Sequence, residues 1–70
     1  MSYVAEIIFS DDTRLKACCD LMAQAEQIIT NNEGREGAMF WRISHDTKRR
    51  GVLMRRVIKS GVCAANKKAE

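Results

Sequence analysis

The sequence predicts an α+β fold: a single small domain built β-α-β-β, with one amphipathic helix packed on a three-stranded sheet that ends in a C-terminal hairpin. Three observations predict it. A β-branched and aromatic run opens the chain at Tyr3–Phe9, apolar residues recur at helical spacing from Leu15 to Ile29, and two strand-like runs flank a charged turn near residue 48. At 70 residues the chain has room for one core, which buries only about 60% of the unfolded surface. That size argues against a large substrate cleft and makes self-association an expected source of stability. Hydrophobic residues at 46% and charged residues at 30% are a globular balance, which excludes a disordered or collagen-like chain.

The first strand places Tyr3, Ala5, Ile7 and Phe9 on one face and Val4, Glu6 and Ile8 on the other. Ser10-Asp11-Asp12-Thr13 reads as a helix N-terminus, because each side-chain oxygen can accept from a free backbone N–H and the aspartates complement the helix dipole. Leu15, Cys18, Met22, Ala25 and Ile29 then recur at spacings of three and four. They predict an amphipathic helix from about Asp12 to Asn32, stopped by Gly34. The loop 31–37 leads to a second strand, Ala38–His45, a turn at 46–51 and a third strand, Val52–Lys59. The helix is expected to return the chain so that the first two strands run parallel, with the third between them in the order 1-3-2. Residues 1–60 form the expected domain. Residues 61–70, which carry no clear pattern, are expected to be a flexible tail.

Pairing Asp46 with Gly51 around a four-residue loop gives the hairpin a register. His45 then faces Val52, Ile43 faces Met54, Trp41 faces Arg56 and Met39 faces Ile58, all beneath the helix. On the other face Ser44 meets Leu53, Arg42 meets Arg55, Phe40 meets Val57 and Ala38 meets Lys59. A sheet with one helix has nothing to cover that second face. It would expose Phe40, Leu53 and Val57 among Arg42, Arg55 and Lys59, with Lys48, Arg49 and Arg50 at the tip.

Charge follows the same division. Residues 1–34 hold six acids and two bases, a net −4, whereas residues 35–70 hold ten bases and three acids, a net +7. This polarity points to one anion-seeking region. Three cysteines, Cys18, Cys19 and Cys63, form no closed disulfide set and no C-x-x-C spacing. With a single histidine they make no regular zinc pattern, so reduced thiols in a cytoplasmic protein, with no metal and no cofactor, are expected. Cys18, on the buried helix stripe, should be inert. No basic-then-apolar leader opens the chain, and no run approaches the ~18 apolar residues of a membrane span, so no membrane partner is expected. His45 and Asp46 are strand neighbours whose side chains point to opposite faces, a poor acid–base pair. Gly34-Arg35-Glu36-Gly37 lacks the phosphate-loop pattern.

The expectation is therefore a non-enzymatic binding protein. Its basic hairpin, through Arg42, Lys48, Arg49, Arg50, Arg55 and Lys59 with Phe40 and Leu53, engages nucleic acid or a nucleic-acid-handling protein. The alternative is an inhibitor or adaptor of the kind phages and mobile elements encode, binding a larger host complex through the exposed sheet face. A second copy of the chain, packed as a homodimer across that face, is the third partner considered.

Overall fold

A computed structural model describes residues 2–68 of the chain, without the side chains of residues 67 and 68. Its elements are β1 (Ser2–Phe9), β2 (Arg14–Cys19), α1 (Met22–Asn32), β3 (Ala38–Arg49), β4 (Val52–Val62) and α2 (Ala64–Lys68). The α+β class holds, but the sheet has four strands in the order β2-β1-β3-β4, and every neighbouring pair is antiparallel. The parallel crossover and the 1-3-2 order expected from sequence are both replaced. The strand after the helix is central, and the last strand lies at the edge.

The difference begins at Ser10-Asp11-Asp12-Thr13. These residues close a tight turn instead of capping a helix. Phe9 N–H donates to Thr13 O at 2.9 Å and Asp12 N–H to Phe9 O at 3.0 Å. The Asp11 carboxylate accepts from Thr13 N–H at 3.1 Å, and Asp12 takes the left-handed φ of 68° that aspartate tolerates. Chain reversal at this point lays Arg14–Cys19 back along β1, with Leu15 opposite Ile7, Ala17 opposite Ala5 and Cys19 opposite Tyr3. Leu15 and Cys18, which fit a helical stripe, sit on opposite faces of this strand. Cys18 is exposed, contrary to its expected place on the buried stripe, and Cys19 is buried.

The helix starts at Met22, where Gln24 Oε1 accepts from Leu21 N–H at 3.3 Å, satisfying one of the free first-turn donors. It ends as expected at Asn32, with Glu33 N–H donating to Ile29 O. Ala25 and Ile29 are its buried residues. They pack with Ala5, Ile7, Cys19, Ala38, Ile43 and Cys63, and Trp41, Tyr3, Leu15 and Met22 flank that core.

Residues 61–68, expected as tail, continue the fold. Cys63 is fully buried and its N–H donates to Met39 O at 2.9 Å, while Ala65 N–H reaches Glu33 O at 3.1 Å. The end of β4 is thereby tied to both β3 and the end of α1. Gly61 faces Trp41, and a Cβ there would lie 2.9 Å from the indole ring, so the close approach of strand to ring requires glycine. The remaining expected tail residues, Ala69 and Glu70, lie outside the described residues.

The hairpin has a two-residue turn, Arg50-Gly51, with φ of 52° and 79°, the all-left-handed geometry of tight hairpin turns. Arg49 therefore pairs with Val52, Lys48 with Leu53, Thr47 with Met54, Asp46 with Arg55 and His45 with Arg56. A bulge between Ile43 and Ser44 then shifts the ladder, so Ser44 meets Val57, Ile43 meets Lys59, Arg42 meets Ser60, Trp41 meets Gly61 and Phe40 meets Val62. None of the pairs expected from a four-residue loop occurs. The phase of β3 is nonetheless the expected one. Ile43 and Trp41 line a cleft with Glu26, Ile29 and Thr30 of α1, and Arg42 lies on the far side.

Candidate functional site

Among the described residues, no element covers the face opposite α1. Alternation along each strand and the pairing between strands arrange it in transverse rows. Arg14, Ile8, Phe40 and Val62 form the first, and Lys16, Glu6, Arg42 and Ser60 the second. Cys18, Val4, Ser44 and Val57 form the third, and Ser2, Asp46 and Arg55 the fourth. Lys48 and Leu53 follow toward the tip.

Glu6 is the centre of this face. It is 3% exposed, yet it receives three cations: Arg42 through its Nε, Arg14 at 3.5 Å and Lys16 at 3.6 Å. Burial pushes the Glu6 pKa up. The hydrogen bond from Arg42 and the charges of Arg42, Lys16 and Arg14 together pull it further down, so the carboxyl titrates below its ordinary range. The cluster keeps a surplus of two positive charges on a face that also shows Phe40 at 47% exposure.

The second feature is the distal half of the hairpin. Among the described residues, the last β1–β3 pair is Ser2 with Asp46, and residues 47–54 pair only with each other and extend as a two-stranded ribbon. At about 3.3 Å per residue, its three pairs and turn reach roughly 13 Å beyond the sheet, in keeping with a molecule 45 Å long and 15 Å thick. Lys48, Arg49 and Arg50 are exposed at its end. At its root Arg55 grips Asp46 with two hydrogen bonds of 2.8 and 3.0 Å. The hydrogen bond from Arg55 holds the Asp46 carboxyl below its usual range, and the Asp46 acceptor holds the Arg55 guanidinium above its own. Among the described residues, Lys48, Arg49, Arg50 and Arg56 have no ion-pair partner.

The eight residues picked out from sequence are thus divided. Phe40, Arg42, Arg55, Lys48 and Leu53 lie along the open face or its extension, and Arg49 and Arg50 form the tip. Lys59 does not join them: it lies on the helix side and pairs with Glu26 at 2.8 Å. Arg42 and Arg55, expected to face each other, each hold a separate acid. Arg56, expected opposite Trp41, pairs instead with His45, whose ring stacks on Tyr3 at 4.8 Å. Sequence reasoning missed Arg14 and Lys16, whose alternation with Leu15 and Ala17 is the strand signal that would have found them.

Among the described residues no three His, Cys, Asp or Glu side chains cluster to hold a metal ion. Burial pushes the thiols of Cys19 and Cys63 up, away from nucleophilic thiolate character. Among the described residues no helix is long and apolar enough to cross a membrane. Comparison of the chain with known protein families, with curated proteins and with solved structures finds no match.

Proposed function

We propose that this protein is a non-enzymatic, cytoplasmic nucleic-acid-binding module whose projecting hairpin ribbon carries the contact. The observation that supports the reading is the ribbon: Lys48, Arg49 and Arg50, without acidic partners among the described residues, on a two-stranded element reaching away from the body. Cations already neutralised by nearby carboxylates gain little from phosphate, whereas free ones release counterions from nucleic acid. Backbone geometry adds to this. Arg50 occupies a left-handed position, φ 52°, where asparagine or glycine costs less. A charged residue kept there at a cost of about 1 kcal/mol suits a role for the charge itself.

The test is a salt titration of oligonucleotide binding. With the three free cations of the ribbon engaged on duplex DNA, log affinity falls against log salt with a slope of about −2.7. Arg49→Glu with Arg50→Glu reduces the magnitude of that slope by about 2 and lowers affinity at least a hundredfold, with the circular dichroism spectrum unchanged. Equal binding by parent and double variant defeats the proposal.

A second reading has its own support. Every residue of β4 except Gly61 is exposed, and Phe40, Val57 and Val62 leave apolar surface beside Arg42 and Arg55. That surface fits an inhibitor or adaptor that docks on a larger protein complex, with apolar anchors and a basic rim. In that case Phe40→Ala weakens the complex more than Arg49→Glu with Arg50→Glu, and nuclease treatment leaves it intact.

A further inference from the structure

One aromatic side chain is placed unlike the others. Of the four in the chain, Tyr3, Phe9 and Trp41 are half-buried and Phe40 alone is exposed. Alternation on β3 turns Trp41 toward α1 and Phe40 to the open face. In its transverse row Phe40 lies between Ile8 of β1 and Val62 of β4, so its ring rises from the interior of the sheet and not from a loop. A ring held half in water on a doubly paired strand forgoes part of the stabilisation that burial would give.

The charges around this ring select its partner. Arg42 is the next open-face residue along β3, and Arg14 ends the same row as Phe40. With Lys16 they share one carboxylate, Glu6, so two positive charges are left over beside the ring. Asp46, the other acid in these rows, is taken by Arg55. From Phe40 the open-face positions of β3 run through Arg42, Ser44 and Asp46 to Lys48 on the ribbon, a strip of roughly 26 Å at about 3.3 Å per residue. A protein seated on this strip has to bury Arg42 and Arg14 against acids placed to match them. A polyanion with flat apolar faces between its charges meets both demands at once. Single-stranded nucleic acid is such a ligand, with phosphates for the surplus cations and an unpaired base for the ring. A duplex is not, because its bases are already stacked on one another and a flat sheet face reaches only its phosphates.

Resting on the nucleic-acid reading above, we propose that the ligand is a single strand that extends from the ribbon onto the open face, where one of its bases stacks on Phe40. Lys48, Arg49 and Arg50 anchor its phosphates at one end, and Phe40 separates single strand from duplex at the other. At about 3.4 Å per nucleotide, the strip takes up about eight nucleotides, an ordinary length for a single-strand site.

The experiment measures, by fluorescence anisotropy, binding of the full chain to a labelled oligothymidylate of about 12 nucleotides, long enough to cover the strip, and to a duplex of equal length. The parent binds the single strand about tenfold tighter than the duplex, the worth of one base stacked on an aromatic ring. Phe40→Ala loses that preference: its single-strand affinity falls about tenfold, to the duplex level, with the salt slope unchanged because no charge is removed. Phe40→Leu keeps the apolar bulk that the fold uses and shows the same loss, whereas Phe40→Tyr keeps the ring and binds the single strand as the parent does. Tighter binding of the duplex, or single-strand binding by Phe40→Leu equal to the parent's, overturns the proposal. The nucleic-acid reading then still stands if Arg49→Glu with Arg50→Glu lowers affinity. Absence of binding to either probe overturns both. A dimer of the chain in sedimentation that Phe40→Ala dissolves assigns the open face to a second copy and overturns the proposal as well.

Discussion

Two groups of cations lie on this molecule, and they differ in what holds them. Arg14, Lys16 and Arg42 converge on the buried carboxylate of Glu6 in the middle of the sheet. Lys48, Arg49 and Arg50 stand at the end of the ribbon, and none of them has an acidic partner among the described residues. The first group joins β2, β1 and β3 across the open face and is part of the fold. The second contributes nothing of that kind, and its mutual repulsion opposes the turn that gathers it. Equal formal charge therefore carries two meanings. A cation count does not separate them; the position of the neighbouring carboxylates does.

The largest effect that can break this comparison is at Glu6. Replacing Glu6 by glutamine leaves three cations around an uncharged, buried group. We expect a loss of about 2 kcal/mol, below the range for fully buried pairs because the three cations are half exposed, and a melting temperature lower by about 10 °C. The pH dependence has a definite sign. The carboxyl titrates below its ordinary value of 4.5, so its contribution is complete above that value and disappears as pH falls through the lowered one. Thermal melts between pH 7 and 2 should show this acid loss in the parent and a smaller one in Glu6→Gln. If the variant melts with the parent, the Glu6 cluster is surface decoration like any other exposed ion pair.

Arg50 gives a smaller effect that sharpens the contrast, because stability and binding are expected to move in opposite directions. Arg50→Asn relieves the left-handed position and removes a repelling charge, raising stability by about 1 kcal/mol. It also lowers nucleic-acid affinity and takes about 1 from the salt slope. A calorimetric melt and one salt titration check both. The smallest effect is at the root. Asp46→Asn releases Arg55 from its bidentate partner and adds a free cation to the ribbon, so binding tightens a few-fold and the salt slope steepens by about 1. Weaker binding by this variant would show that Asp46 aligns the ribbon more than it neutralises it.

Sequence reasoning located β1, the hairpin strands and the C-terminal end of α1, because a β-branched run, a charged turn and a glycine stop are local signals. It also placed the side of β3 that faces the helix, since Trp41 and Ile43 alternate with Arg42. It misread Arg14–Cys19 because Leu15, Cys18 and Met22 fit a period of 3.6, and the shorter alternation of Arg14, Lys16 and Cys18 with Leu15, Ala17 and Cys19 spans only six residues. Asp11 and Asp12 serve a tight turn with the same side-chain chemistry that caps a helix. The hairpin register was not legible for two reasons. Arg50-Gly51 lacks the asparagine or aspartate that marks a two-residue turn, and the bulge at Ile43/Ser44 leaves no trace in composition. Apart from Lys59, the candidate residues keep their expected place on the open face or at the tip despite the wrong register, because the tip stays at the tip wherever the ladder slips. Lys59 did not survive it, since its face depends on the bulge.

The tie between Cys63 and Met39, and between Ala65 and Glu33, sets the mechanical character of the ribbon. A lever needs a fixed fulcrum, and here the bound end of β4 is clamped to the central strand and to the terminus of α1. For the binding role proposed above, the body behind the arm is thereby assembled in advance, and less ordering remains to be surrendered on contact.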